Sequence, residues 1–228
     1  MKLILFGAPG AGKGTQAVKL ATKYHIPHIS TGEMFRQAID HQTPMGIEAA
    51  KYITKGKLVP DDITVGIVKE RLAQPDCKNG FILDGFPRTI PQAQSLEEIL
   101  QELNMKLDYV IQIFVPKEEI LDRLTGRRIC KNCGTSYHIK HYPSEIEGKC
   151  DVCGGDLTIR KDDNMESVLV RLDAYEKQTK PLLEYYQNQG LLIHVDGKQD
   201  IHNVFKDIVN ELGEKWWLSE KHLEKLLY

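Results

Sequence analysis

Short uninterrupted apolar runs alternate with longer segments of helical period along this chain. "LILF" (3–6) leads through a glycine-rich turn into a helix-period segment ending at about residue 24. "FILD" (81–84), "YVIQIFV" (109–115) and "LLIHV" (191–195) are further runs of the first kind, and "HIS" (28–30) is a shorter one. Such runs lack a polar alternate face, so they predict strands covered on both sides, the signature of parallel pairing. The expected fold class is α/β: a doubly wound, five-stranded parallel sheet with helices on both faces.

Two stretches break this rhythm. Residues 30–73 read as helical throughout, with Ser30 and Glu33 at capping-box spacing and "VPDD" (59–62) opening a further helix. Residues 127–163 are rich in Gly, Tyr, His and Pro with little helical period, and predict a small β-rich insertion. Helix resumes at "DNMESVLVRLDAYEKQ", with Asp163 as the expected cap. The expected organisation is a core of 1–29, 60–126 and 164–212, interrupted by a helical insertion at 30–59 and the β-rich one at 127–163. Residues 213–228 form an expected helical extension, with Trp216, Leu223 and Leu227 along one face.

Chemistry enters at "GAPGAGKGT" (7–15), directly after the first strand. Gly7, four residues, then Gly12-Lys13 is the P-loop spacing in its strand–loop–helix setting. Glycines let backbone N–H groups turn inward, the helix N-terminus adds partial positive charge, and Lys13 reaches phosphoryl oxygens. One feature departs from the general pattern: Gly14 follows Lys13, and Thr15 comes one later. No Asn-Lys-x-Asp guanine-reading motif occurs. "FILDGFPRT" (81–89) instead ends a strand on Asp84, a carboxylate suited to holding Mg²⁺ through water, with Arg88 just beyond it.

Composition narrows the partners. Thirty basic against thirty-two acidic residues give a net charge of −2, without the basic excess of a nucleic-acid binder. No apolar run is long enough to cross a bilayer, and the N-terminus has no signal-peptide core, so a cytoplasmic protein is expected. There, cysteine pairs point to metal or redox chemistry before disulfides. Cys130-x2-Cys133, sixteen residues, then Cys150-x2-Cys153 has the spacing of a four-cysteine zinc site. Four protein ligands leave no open position, so such a zinc is structural. A redox pair would not explain two pairs, and a nucleic-acid-reading ribbon would need a basic, aromatic stripe that is missing. Cys77 stands outside this scheme as a packed or partly exposed thiol.

Taken together, "GAPGAGKGT", "STGEMFR" (30–36), "DGFPRT" (84–89), "GRR" (126–128) and "RKDD" (160–163) resemble the adenylate kinases in order and spacing. The likeness runs from residue 1 to about 212, and is to the long-lid form with a zinc-binding lid. It implies reversible phosphoryl transfer from ATP·Mg²⁺ to AMP, giving two ADP, in a monomer without nucleic-acid or membrane partners. By the same likeness, Gly10, Ala11, Gly12, Lys13, Gly14 and Thr15 cradle ATP, with Arg123, Arg127, Ser136, Tyr137 and Gln199 also on the ATP side. AMP falls to Thr31, Arg36, Lys57, Leu58, Val59, Gly85, Phe86, Pro87, Arg88 and Gln92, with Arg160 and Arg171. Lys13, Arg88, Arg127, Arg160 and Arg171 are the implied catalytic cations, because the transferring group spreads negative charge over its oxygens. Arg123 and Arg127, four apart, share a face if their helix continues through "GRR". Two alternatives stay open: a kinase for another nucleoside monophosphate or donor, and a zinc-ribbon module using its P-loop as a nucleotide sensor.

Overall fold

The computed structural model describes the backbone of residues 1–224 and the side chains of residues 1–213. Strands β1 (Lys2–Phe6), β2 (His28–Ser30), β3 (Phe81–Asp84), β4 (Tyr109–Phe114) and β8 (Leu192–Asp196) form one parallel sheet in the order β2-β3-β1-β4-β8. The unbroken apolar runs have a direct cause. Leu3 and Leu5 pack with Ile82, Ile111 and Ile113 on one face, while Ile4 and Phe6 pack with Phe81, Leu83 and Val110 on the other. Neither face meets water, so neither tolerates a polar alternate.

Helices α1 (Lys13–Tyr24), α6 (Lys117–Thr125), α7 (Met165–Ala174) and α9 (Ile201–Glu224) contribute to the first core through Leu20, Leu124, Val168 and Ile208. Helices α4 (Asp61–Leu72), α5 (Ile90–Glu102) and α8 (Leu182–Asn188) contribute to the second through Val68, Leu96 and Tyr186. Each such buried side chain is worth about 1.5–3 kcal/mol of transfer free energy. Residues 225–228 and the side chains from 214 onward, including the expected face of Trp216, Leu223 and Leu227, lie outside the described residues.

Between β2 and α4 the chain forms α2 (Thr31–Asp40) and α3 (Pro44–Ile53). Ser30 caps α2 by accepting from Glu33 N, as the spacing predicts. The two helices meet so closely that a Cβ on Gly46 would sit 2.0 Å from Ala38 O, which only glycine accommodates. Between α6 and α7 lies an antiparallel sheet of β5 (Arg127–Cys130), β6 (Ser136–His138) and β7 (Leu157–Thr158), ordered β6-β5-β7.

Two expectations are corrected. Helix α6 stops at Thr125 and Arg127 opens β5, so Arg123 and Arg127 do not share a helical face. Asn164, not Asp163, caps α7, accepting from Ser167 N at 2.9 Å. Asp163 is buried and used elsewhere.

Candidate active site

Parallel pairing puts the carboxyl ends of β1, β2 and β3 side by side, since Leu5 and Ser30 both register with Asp84. The loops leaving those ends therefore open into one crevice, where doubly wound sheets take ligands. Gly12 caps α1 at φ 96°, in the left-handed region, and brings no side chain to the first amides of the helix. Those amides are left aimed at the loop, as an anion requires. Lys13 folds back over the loop, its Nζ donating to Gly7 O at 2.7 Å and Ala8 O at 2.9 Å. Burial pushes the Lys13 ammonium down to about 8, against the pull of the Asp84 carboxylate.

Asp84 ends β3 beside His28 of β2, whose Nε2 lies 3.5 Å from Oδ2. Burial alone would raise its carboxyl, but the contact with His28 and the charge of Lys13 hold it below the ordinary range. A Cβ on Gly14 would lie 3.5 Å from Asp84 Oδ2, an ordinary van der Waals contact, so residue 14 borders this carboxylate.

The cations gather next to it. Arg88 is anchored by Nε donating to Gly85 O at 2.7 Å, an oxygen that also accepts from Thr31 Oγ1 at 2.9 Å. Burial first, then repulsion from Arg171, push its guanidinium down to about 10. Arg160 is lowered to about 9 by burial and by Arg127 and Arg36, and its Nε is buried without a hydrogen-bond partner. Arg36 is held by Glu33 Oε2 at 3.0 Å. Arg127 donates through Nε and a terminal nitrogen to Asp163, and Arg171 reaches Asp163 at 3.1 Å and Asp162 at 3.0 Å. Burial is the main cause of these lowered guanidinium values, with repulsion from neighbouring arginines adding to it.

An open, solvent-facing cavity brings together Thr31, Arg36, Lys57, Leu58, Val59, Gly85, Arg88, Gln92 and Arg171. Of the residues expected on the AMP side, Phe86 and Pro87 are instead buried, Phe86 in the second core, and a cis peptide joins them. On the opposite side, Arg123 donates to Gly197 O at 2.8 Å, and Gln199 Nε2 donates to Asp207 at 2.7 Å. Ser136 sits in β6 opposite Ile129. The Tyr137 side chain turns away toward the cysteines, its hydroxyl 3.3 Å from Cys150 Sγ.

The four cysteines converge. Cys130 and Cys153 sulfurs are 3.5 Å apart, as are those of Cys133 and Cys150, and all four lie within 4.8 Å of one another. A tetrahedron of sulfurs around zinc has edges of about 3.8 Å, so this set could bind zinc. Thr135 Oγ1 lies 3.1 Å from Cys133 Sγ, and Asn132 N donates to Cys130 Sγ. Cys77 is buried in the second core, outside this set, and burial pushes its thiol up to about 11.

Sequence reading missed several participants. Asp162 and Asp163 stood in the quoted "RKDD", yet their pairing with Arg127 and Arg171 had no local signal. Asp122 is another. It accepts from Lys140 at 2.7 Å and contacts His141 at 2.9 Å, while its backbone oxygen faces His138 Nε2 at 3.1 Å. The small sheet is thereby tied to the foot of α6.

Known proteins share this plan. The adenylate kinase family model matches residues 5–191. An adenylate kinase of Geobacillus sp. is 57% identical over 213 residues, covering 93% of this chain and 99% of that protein. Those of Clostridium tetani and Acetivibrio thermocellus are 56% and 55% identical, each over 93% of this chain and 99% and 98% of their own lengths. With its P-loop, its strand-end aspartate and its arginine-lined cavity in place, the chain belongs to the adenylate kinase family.

Proposed function

We propose that the protein transfers the terminal phosphoryl group of ATP to AMP, reversibly producing two ADP. The observation that carries this is the convergence of Lys13, Arg88, Arg160 and Arg171 on one crevice, with a buried Arg160 Nε lacking any partner. Buried cations that repel one another are costly unless anions meet them, and two nucleotides bring many. The P-loop residues 10–15 hold the ATP phosphates, with Arg123, Ser136, Tyr137 and Gln199 at the nucleoside; Tyr137 does so through its backbone. Thr31, Arg36, residues 57–59, Gly85, Arg88 and Gln92 hold AMP, with the buried Phe86 and Pro87 setting the loop between Gly85 and Arg88. Arg127, Arg160 and Arg171 grip the transferring group as its charge spreads.

Mg²⁺ arrives with ATP and neutralises phosphate charge; Asp84 is the residue that would hold it, through water. No general base is required, because positioning and electrostatics supply most of the acceleration. Water must be kept out, so segments 30–59 and 127–163 close over a core of 1–29, 60–126 and 164–212. Cys130, Cys133, Cys150 and Cys153 hold a structural zinc in the second of these. The reading includes a cytoplasmic monomer without nucleic-acid or membrane partners. Among the described residues no helix is long and apolar enough to cross a membrane.

With magnesium, ATP and AMP, ADP is expected to appear at twice the rate of AMP loss. Accumulating free phosphate, or no turnover with AMP when UMP, CMP and GMP are tried beside it, would overturn the reading.

Lys13 adds a pH signature. Its folded value of about 8 lies below the unfolded value, so across that window the unfolded chain binds more protons. For this group, stability therefore rises with pH between about 8 and 10.5. ATP phosphates favour the charged form, so binding at about pH 8.5 takes up a proton that binding at about pH 6.5 does not. Calorimetry in two buffers of unlike ionisation heat measures that uptake. Equal uptake at both pH values would show that Lys13 does not meet the phosphates.

A further inference from the structure

Gln92 occupies the first turn of α5, is 1% exposed and lines the cavity beside Arg88. Both ends of its side-chain amide are tied to groups of opposite character. Nε2 donates to Asp61 Oδ1 at 2.6 Å, and Oε1 accepts from the Arg88 backbone N–H at 2.8 Å. Carboxylate oxygens accept and a backbone N–H only donates, so the amide has a single favoured orientation. Asp61 is itself tethered: its Oδ2 accepts from Thr89 Oγ1 at 2.8 Å, and Thr89 Oγ1 accepts from Gln92 N at 3.2 Å. The carboxylate comes from the start of α4, a different element from the residue it orients.

Each end of the amide keeps one unused valence, a second N–H on the nitrogen and a second lone pair on the oxygen. Side by side they make a donor–acceptor edge. That edge matches a 6-aminopurine, whose N6 donates and whose N1 accepts. A 6-oxopurine reverses both roles, with O6 accepting and N1–H donating. An amide free to turn over would serve either base; a locked one serves only one of them.

We propose that Asp61 is a specificity-determining positioning residue: by locking the Gln92 amide, it makes the cavity select 6-amino over 6-oxo purine monophosphates. The inference rests on the reading of this cavity as the AMP pocket. Asp61 touches no reacting atom and works through the Gln92 amide and the Thr89 hydroxyl that caps the same turn.

The test compares AMP with inosine monophosphate, which differs only at the edge in question. Dissociation constants are measured by calorimetry, and kcat and KM with ATP as donor, for wild type, Asp61→Ala and Asp61→Asn. In Asp61→Ala the turned-over amide no longer sacrifices its bond to the carboxylate. The ratio of AMP to inosine monophosphate affinity is expected to fall roughly tenfold, the worth of one oriented hydrogen bond. The change should appear in KM for the monophosphate, with KM for ATP within about twofold. Asp61→Asn keeps a carbonyl for Gln92 Nε2 and should restore most of the ratio. Should Asp61→Ala fail to fold, Asp61→Ser provides the same comparison.

Equal weakening of both monophosphates would reduce Asp61 to a structural role and overturn the proposal. So would an Asp61→Asn protein as unselective as Asp61→Ala. Failure of the functional reading looks different: wild type would neither bind nor turn over AMP in preference to inosine monophosphate.

Discussion

The Arg88→Lys protein is expected to lose roughly a thousandfold or more in kcat, the scale on which arginines matter in phosphoryl transfer. Arg88 is fixed by Nε on Gly85 O, which leaves its terminal nitrogens for the cavity. Lysine retains the charge but loses both that anchor and the planar fork that can bind two phosphoryl oxygens at once. The fold should barely notice, since Gly85 O keeps its bond from Thr31 and Gln92 keeps its bond from the Arg88 backbone. Steady-state kinetics with both substrates, beside a thermal melt, measure the effect. A loss below about tenfold at unchanged melting temperature would place Arg88 outside the transferring group's shell.

Removing zinc is expected to act on stability first. Among the described residues the small sheet has a core of Cys130, Tyr137 and Cys150, with Leu157 against it, while Ile139, Ile146, Val152 and Ile159 remain exposed. So little apolar burial cannot offset the entropy of ordering the segment. Four-thiolate sites supply on the order of 10 kcal/mol or more in comparable small folds. Purified protein should hold about one equivalent of zinc, and Cys150→Ser or a strong chelator should lower the melting temperature by about ten degrees or more. Phosphoryl transfer should persist at temperatures where the segment stays folded. Immediate loss of transfer, with melting unchanged, would mean that the metal does more than hold the fold.

Much of this was legible in the residues because the relevant forces act locally. Strands β1 and β3 sit inside the sheet, so their burial on both faces leaves continuous apolar runs. The P-loop and the cysteine pairs are spaced by geometry that a few neighbouring residues set. The remainder depends on tertiary pairing. Asp61 and Gln92 lie 31 positions apart, and nothing near either indicates the other. Asp163 was the expected cap, but its neighbour Asn164 took the helix, and Asp163 went to Arg127 and Arg171. The condition for Arg123 and Arg127 to share a face is not met, because α6 ends at Thr125 and Arg127 opens a strand.

Asp162 and Asp163 give the arginine cluster resident counterions. A phosphate drawing on Arg127 or Arg171 would compete with these carboxylates, so its entry would exchange one set of ionic partners for another. A small stray anion, with one group to offer, would gain little from that trade, whereas a pair of nucleotides would bring enough charge to win it.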